Sequence, residues 1–315
     1  MYALLLCLCF FAVPALAAAP TGLGEAALAI ERKDYASAHA VLAPLAQSGN
    51  AEAQYVLGRL YAAGQGCPKD ESKAVALFRK AAAQGDPSAQ NSLATFLLQG
   101  RGVGKNPAEA AQWFHKAADQ GLAAAEYNLA LLYAAGSGVA KSPQEAFTWQ
   151  QRAANQGYAP SQYVLGWMHL HGQGTRRSET KALHWFQQAA GQGDARAQNE
   201  LGSLYAQGLA VPQDYAKAAE LYRQSADQGY APAQYNLGVL YEEGLGRARD
   251  MEEARRWYKL AADGGDKDAQ AALALLDNPD GGKTSGGKSA GKQDRATKKK
   301  AKKSASKKTA NAQTR

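Results

Sequence analysis

GYAPSQYVLGWMHLHGQGTRRSETKALHWFQQAAGQ, residues Gly157–Gln192, is the stretch that decides the fold, because the chain repeats its pattern at a constant spacing. A fixed period between 20 and 50 residues is typical of stacked supersecondary units rather than of a single globular core. Residues 24–277 are therefore predicted to form one repeat array. The period is 36 residues and is marked by seven glycines, Gly49, Gly85, Gly121, Gly157, Gly193, Gly229 and Gly265.

Each repeat contains the pattern of a first helix. In the first copy Gln54, Leu57, Gly58 and Tyr61 occupy i, i+3, i+4 and i+7, which is one face of a helix. The recurrent small residue beside the leucine predicts a neighbouring helix too close for a side chain, since glycine inside a helix costs up to about 1 kcal/mol against alanine.

A second helix follows a glycine-containing loop in every copy. Glycine suits a left-handed helix C-cap, and a residue that favours the N-cap stands at the end of each loop. Behind that cap, Ala74, Leu77, Phe78 and Ala81 form a second one-sided apolar face. The six predicted N-caps are Asp70, Asn106, Ser142, Ser178, Asp214 and Asp250.

This pattern predicts the domain organisation. Residues 24–48 are expected to form an N-terminal capping half-unit, residues 49–264 six full units, and residues 265–277 a closing helix. Residues 278–315 have no large apolar side chain and are predicted to be a disordered Lys-rich tail, because they cannot bury enough surface to offset their ordering entropy.

The unit AQYNLGVLYEEGLGRARDMEEARRWYKLAADG (233–264) resembles the Sel-one-like repeat (SLR) family, a relative of the tetratricopeptide repeat. The resemblance implies an all-α fold of antiparallel helix pairs stacked into a superhelical solenoid, with the first helices lining its concave face. It also implies a protein-binding role and a secreted or periplasmic bacterial type. A cysteine-rich branch of the family is linked to β-lactam binding; this chain lacks those cysteine pairs, so that activity is not inferred.

Two columns of the first helix are predicted to lie opposite the buried face and to bind protein or peptide. One column is mostly Tyr or Asn, which also suits a structural role between helices, and the other varies from copy to copy. Tyr and Trp are common interface anchors, so an aromatic patch is expected at mid-array, although Trp167 packed against its own neighbours is an equal interpretation. The predicted binding residues are Arg59, Tyr127, Leu131, Tyr163, Trp167, Tyr235 and Val239.

No catalytic residue, metal site or cofactor is predicted. His169 and His171 stand two apart, on different faces of a helix, and His169 is interpreted as a satisfied core histidine. No nucleophile elbow, phosphate loop or zinc-protease motif is present in the sequence. Arg176 and Arg177 could contact an anion, but a solvated loop is the simpler interpretation.

The N-terminus is predicted to be a secretory signal over residues 1–19, an apolar run ending in the small-x-small pattern Ala15-Leu16-Ala17. An uncleaved membrane anchor is the alternative. Removal of the signal leaves no transmembrane span and leaves Cys67 without an intrachain disulfide partner. The expected location is periplasmic or secreted.

The tail dominates the net charge of +8. Residues 279–315 hold 12 Lys or Arg and 2 Asp, a balance of +10, so the remainder is −2. Such a polycation attracts anionic surfaces, here anionic lipid, lipopolysaccharide or cell-wall polymer, although a purely solubilising tail is also considered. No aromatic residues interleave the lysines, so no specific nucleic-acid recognition is expected. The predicted polyanion-binding residues are Lys298, Lys299, Lys300, Lys302, Lys303, Lys307 and Lys308.

The sequence thus favours an exported, non-enzymatic binding scaffold with a basic tail that tethers it to the cell envelope. Two alternatives are kept. One is a cell-wall or β-lactam hydrolase, and the other is a cytoplasmic nucleic-acid-associated adaptor that uses the tail.

Overall fold

The computed structural model describes residues 22–277, which form helices and loops with no β-strand in that range. The predicted all-α repeat solenoid is confirmed. The signal segment and the basic tail lie outside the described residues. The helices are α1 Leu23–Glu31, α2 Tyr35–Gln47, α3 Ala51–Ala63, α4 Glu71–Ala83, α5 Pro87–Gln99, α6 Pro107–Asp119, α7 Ala123–Ala135, α8 Pro143–Asn155, α9 Ala159–His171, α10 Glu179–Gly191, α11 Ala195–Gln207, α12 Tyr215–Asp227, α13 Ala231–Glu243, α14 Met251–Asp263 and α15 Lys267–Asp277.

The second helices begin where the caps predict. The Asp70 carboxylate accepts a hydrogen bond from the backbone N–H of Lys73 at 2.9 Å, and Asp214 does the same for Lys217 at 2.9 Å. The other four predicted N-cap side chains make equivalent bonds. Each bond satisfies an amide that the helix leaves without an internal acceptor.

The first helices of the full repeats end at glycines in the left-handed conformation, with φ between 68° and 73°. These C-caps are Gly64, Gly100, Gly136, Gly172, Gly208 and Gly244. Caps at both ends of the loop therefore fix the length of each helix pair.

The described chain divides into two compact units, residues 22–113 and 114–277, and the division falls within α6. In the first unit, α1 to α5 pack consecutively, each on its neighbour in the chain. In the second unit, α7 to α15 pack in the same consecutive way. Contacts between chain neighbours, rather than one central core, are the mark of a repeat array.

The helix pairs approach closely at the recurrent small residue, as predicted. A Cβ added at Gly238 would lie 2.7 Å from the ring of Tyr258 and 3.3 Å from the carbonyl oxygen of Ala254. The same close contact with an aromatic ring of the paired helix recurs at Gly58, Gly166 and Gly202. The neighbour that excludes a side chain is thus mainly a buried ring on the second helix.

The Gln column of the first helices links successive pairs. Gln54 Nε2 donates to the carbonyl oxygen of Ala46, at the end of the preceding helix, at 3.0 Å. Its side-chain oxygen accepts from Gln84 Nε2, at the end of the following helix, at 2.8 Å. Equivalent bonds to the preceding helix are made by Gln90, Gln162, Gln198, Gln234 and Gln270.

The N-terminal segment differs from the expected half-unit. Residues 24–48 contain a second helix, α2, preceded by a short first helix, α1, and joined to it by a tight turn with Lys33 at φ 60°. Ala26 and Ala29 of α1 are buried against Leu42. α1 and α2 therefore form a shortened helix pair at the position of the expected capping half-unit.

Candidate functional site

The two predicted binding columns stand on the first helices, and the structure gives their members different exposures. Arg59 is exposed and Leu131 has 41% of its surface accessible. Tyr127, Tyr235 and Val239 are half-buried. Each of these five side chains is at least partly accessible to a partner.

Tyr163 and Trp167 are buried, which corrects the expected accessible aromatic patch. They are 2% and 7% exposed and belong to a core cluster with Leu201 and Leu204 of the next first helix. The Trp167 ring stacks on His171 at 4.2 Å. The alternative, a tryptophan packed against its own neighbours, describes Trp167 correctly.

Arg196 explains the burial of Tyr163. Its guanidinium lies over the Tyr163 ring at 4.4 Å and pairs with the Asp194 carboxylate, with Nη2 and Oδ2 2.7 Å apart. The equivalent positions after Tyr127 and Tyr235 are Pro160 and Asp268, and neither carries a guanidinium that could stack in this way. The aromatic column is thus covered at Tyr163 and accessible at Tyr127 and Tyr235.

A pocket of about 390 Å³ lies within the first compact unit, between α3 and α5. Arg59 stands beside it with its guanidinium 5.9 Å from the centre of the Tyr55 ring. Across the pocket Arg101 lies 4.2 Å over the Phe96 ring and pairs with Glu71 at 2.7 Å. The lining residues are Tyr55, Arg59, Ala62, Ala63, Phe78, Ser92, Phe96 and Arg101.

The two arginines of this pocket differ in their partners. The Arg101 guanidinium holds the pKa of the Glu71 carboxyl below its usual range, so that this pair is neutral overall at pH 7. Arg59 takes part in no ion pair with residues 22–277. A free guanidinium beside an aromatic wall can accept a carboxylate by a two-pronged hydrogen bond.

A buried polar cluster that the sequence did not single out lies between α11 and α13. Glu200 is 9% exposed and accepts one hydrogen bond, from Asn199 Nδ2 at 3.3 Å. Asn236 Nδ2 donates to Asn199 Oδ1 at 2.9 Å. Burial raises the pKa of the Glu200 carboxyl to about 7. One sequence signal could have identified this cluster, because Glu200 is a carboxylate at a register that is uncharged in the other copies. The equivalent residues are Val56, Ser92, Asn128, Val164 and Asn236.

The histidines fit a structural role. His169 is 2% exposed and meets the Phe147 ring edge-on at 5.3 Å, and burial lowers its pKa. The prediction of a core histidine is confirmed, but its Nδ1 has no hydrogen-bond partner in the described chain, so it is not fully satisfied. His171 instead donates to the Trp167 carbonyl oxygen at 2.9 Å.

Other features of residues 22–277 bear on the site. No group of three His, Cys, Asp or Glu side chains in this range is arranged to hold a metal ion. None of the described helices has the length and apolar character needed to cross a bilayer. Arg177 pairs with Glu179 at 2.6 Å, and both Arg176 and Arg177 are exposed on the loop. The seven predicted tail lysines lie beyond the described residues.

Comparison with protein families finds six consecutive matches to the Sel1 repeat, over residues 51–86, 87–122, 123–158, 159–194, 195–230 and 231–266. They follow the 36-residue period seen in the sequence. A comparison with curated proteins finds no match.

Two solved structures are similar in both fold and sequence. One is a protective antigen of uropathogenic Escherichia coli that displays an SLR fold, with 34% identity and a TM-score of 0.72. That alignment covers 81% of this chain but 57% of the antigen, so the chain spans little more than half of that protein. The other is a Sel1 repeat protein from Oxalobacter formigenes, with 32% identity, a TM-score of 0.69, and coverage of 75% of this chain and 94% of that one.

Proposed function

The chain belongs to the Sel1 repeat family, and from that premise we propose that it is a non-catalytic scaffold that binds a protein or peptide on its first helices. Sel1 repeat proteins generally mediate protein–protein interaction. A linear array suits this role because it offers an extended surface whose exposed residues the fold does not dictate.

The observation that carries the proposal is the α3–α5 pocket of about 390 Å³. Its wall includes Tyr55 and Arg59, which come from the two columns predicted to bind. Tyr and Arg are enriched among residues that dominate binding energy. The unpaired guanidinium of Arg59 favours a partner segment with an acidic side chain or a terminal carboxylate.

Affinity capture from the producing cell tests this proposal with one charge reversal and one matched control. Arg59→Glu changes the pocket, while Lys259→Glu makes the same charge change at an exposed lysine of the second helix α14. We expect a partner recovered with wild type and Lys259→Glu to be lost or weakened about tenfold or more with Arg59→Glu. Identical recovery by all three proteins would remove the pocket from the binding surface.

Tyr163 and Trp167 are unsuitable for that experiment. Both side chains are buried, and truncating a buried aromatic residue costs about 3–5 kcal/mol through the cavity it leaves. A loss of binding in Trp167→Ala would therefore report destabilisation rather than a contact.

Export is the second part of the proposal, and its support is the apolar N-terminal sequence ending in Ala15-Leu16-Ala17. We expect the protein isolated from the periplasm or medium to lack the first 17 to 19 residues. N-terminal sequencing or intact-mass measurement checks this. A cytosolic protein that retains Met1 would contradict it and favour the adaptor alternative.

A tether to an anionic envelope surface is the third part, supported by the local charge of +10 over residues 279–315. Co-sedimentation with phosphatidylglycerol vesicles is expected to fall steeply as salt rises. It should be absent with phosphatidylcholine vesicles and after deletion of residues 279–315. Undiminished binding by the deletion variant would assign vesicle binding to another part of the chain.

A further inference from the structure

A second pocket of the first compact unit lies between the second helices α2 and α4, over the first helix α3. It measures about 250 Å³ and has an apolar floor of Leu57, Leu77, Ala43 and Ala46. The rest of its lining is Gln47, Tyr61, Lys73, Ala76 and Lys80. We call it the α2–α4 pocket.

The repeat itself shows which group fits this place. Five periods later, Trp257 stands at the register of Leu77 and Arg223 at the register of Ala43. The Trp257 indole is 3% exposed, lies beneath the Arg223 guanidinium at 5.0 Å, and packs with Ala226 and Leu237. Those two residues are the registers of Ala46 and Leu57, so the indole fills the space that is open in the α2–α4 pocket.

A carboxylate accompanies the indole in two of the copies that hold tryptophan. Trp257 Nε1 donates to Glu253 Oε2 at 3.0 Å, and Trp113 Nε1 donates to Glu109 Oε1 at 3.3 Å. At the register of these glutamates the α2–α4 pocket carries Lys73. The α2–α4 pocket thus has leucine and lysine where these two copies have tryptophan and glutamate. Lysine also stands at this register beside Trp185 (Lys181) and beside Leu221 (Lys217).

The positive charge of Lys73 and Lys80 at the edge of the α2–α4 pocket indicates which kind of ligand it binds. Lys80 forms no ion pair with residues 22–277. Lys73 has an exposed contact with Asp70, with Nζ and Oδ2 3.4 Å apart, and its Nζ lies 5.4 Å from the centre of the Tyr61 ring. Exposed pairs of this kind are worth little and leave the ammonium free to meet a better acceptor. Two cations beside an apolar hole complement an aromatic side chain that is flanked by carboxylates.

We propose that the α2–α4 pocket binds a single aromatic side chain, tryptophan above all, of an acidic peptide segment in a partner protein. The pocket is below the range of about 300–1,000 Å³ typical of small-molecule sites, and it suits one anchoring side chain. This site goes beyond the proposed function because most of its lining comes from second helices and it shares no residue with the α3–α5 pocket.

Fluorescence anisotropy with the protein as isolated from the producing cell tests the proposal. The probe is a fluorescein-labelled peptide that carries one tryptophan between two pairs of glutamates, and its control has alanine for the tryptophan. We expect the wild-type protein to bind the tryptophan peptide at least about tenfold more tightly than the alanine peptide.

Leu77→Trp is the decisive variant because it supplies the missing indole from within the chain. It should weaken binding of the tryptophan peptide about tenfold or more without lowering Tm, since the same register holds Trp113, Trp149, Trp185 and Trp257 in other copies. Lys80→Glu should weaken binding similarly by reversing the rim charge, whereas Lys259→Glu should leave it unchanged.

Three results would overturn the proposal. The first is equal affinity for the tryptophan and alanine peptides, and the second is unchanged peptide binding by Leu77→Trp. If Leu77→Trp lowers Tm, the comparison of Lys80→Glu with Lys259→Glu decides instead, and equal affinities of those two variants count against the site. The third is a dimer in light scattering that Leu77→Trp dissociates, which would assign the pocket to a second copy of the chain.

Discussion

At the scale of single residues, Glu200 is the buried carboxylate whose ionisation affects stability most directly. Its pKa rises from 4.5 to about 7 because burial penalises the charged form, and the hydrogen bond from Asn199 offsets this only in part. The unfolded chain therefore loses this proton at lower pH than the folded chain does. The stabilising contribution is present below pH 4.5 and is lost as the pH rises to about 7.

Glu200→Gln should remove this dependence. At pH 8 the variant is expected to be more stable than wild type by about 3 kcal/mol, the equivalent of a shift of about 2.5 units. The difference should shrink to near zero at pH 4.5. Urea unfolding at several pH values measures it, with Glu25→Gln at an exposed position of α1 as the control. A constant difference across that range would show that Glu200 ionises normally in the folded protein.

Ala210 is a second residue whose backbone departs from its preferred conformation. Its φ is 62°, at a register where the other loops have glycine, as in Gly174 and Gly246. The left-handed region costs an L-residue about 1–2 kcal/mol, and a glycine at this position would avoid that cost. Glycine also has more freedom in the unfolded chain, which would lower the stability by about 0.4–1 kcal/mol.

Ala210→Gly is therefore expected to stabilise the protein by up to about 1 kcal/mol, or to raise Tm by a few degrees. Ala206→Gly, four residues earlier and inside α11, is the matched control and should destabilise by about 1 kcal/mol. Differential scanning calorimetry compares the two. Loss of stability in both variants would mean that the loop does not strain Ala210.

At the scale of helices, the distance between the two helices of a pair depends on the glycine that the first helix places against the second. Gly238 lies inside α13, where glycine is normally unfavourable by up to about 1 kcal/mol. Here a methyl group would contact the Tyr258 ring at 2.7 Å. Tyr258 is 1% exposed, so the ring has no free space into which it could move.

Gly238→Ala is expected to destabilise by about 1–3 kcal/mol, the usual cost of overpacking, despite its better helix propensity. Gly191→Ala is the control, because Gly191 is in α10 with no atom within 4 Å of an added Cβ. That variant should be neutral or up to about 1 kcal/mol more stable. Thermal melts of both proteins give the comparison, and a stabilised Gly238→Ala would show that the helix pair can open without cost.

Helix-level features of the fold could be predicted well from the sequence because they are repeated. Caps, glycines and apolar faces recur six times, and each depends on local chemistry alone. The role of the Gln column was not predictable, since it depends on contacts with other helices. Glu126 shows this, because a carboxylate cannot donate to the Ala118 carbonyl and Arg152 Nη2 makes that bond instead, at 3.1 Å.

The candidate site was less predictable for the same physical reason. A helical wheel places Tyr163 and Trp167 opposite the core of their own helix, but it says nothing about the next helix. Arg196, one period after Pro160, covers Tyr163 by stacking on it. Exposure in a repeat array is thus decided by pairs of residues one repeat apart, which a single-helix pattern does not describe.

At the scale of the whole molecule, the fold is a sum of similar units coupled to their nearest neighbours, and that predicts how it tolerates deletion. Removing residues 195–230 joins Asp194 to Ala231, which begins an equivalent first helix, and preserves the register of caps and Gln contacts. The free energy of unfolding should fall by the contribution of one repeat and one interface between repeats. The helical signal per residue and the cooperative melt should be kept. The variant should also lose the pH dependence assigned to Glu200.

Deleting half a period, residues 195–212, places the loop before α12 directly after α10, so one second helix follows another with no first helix between them. Circular dichroism should then show a broad, non-cooperative melt, and equal tolerance of both deletions would mean that the 36-residue register does not govern the packing.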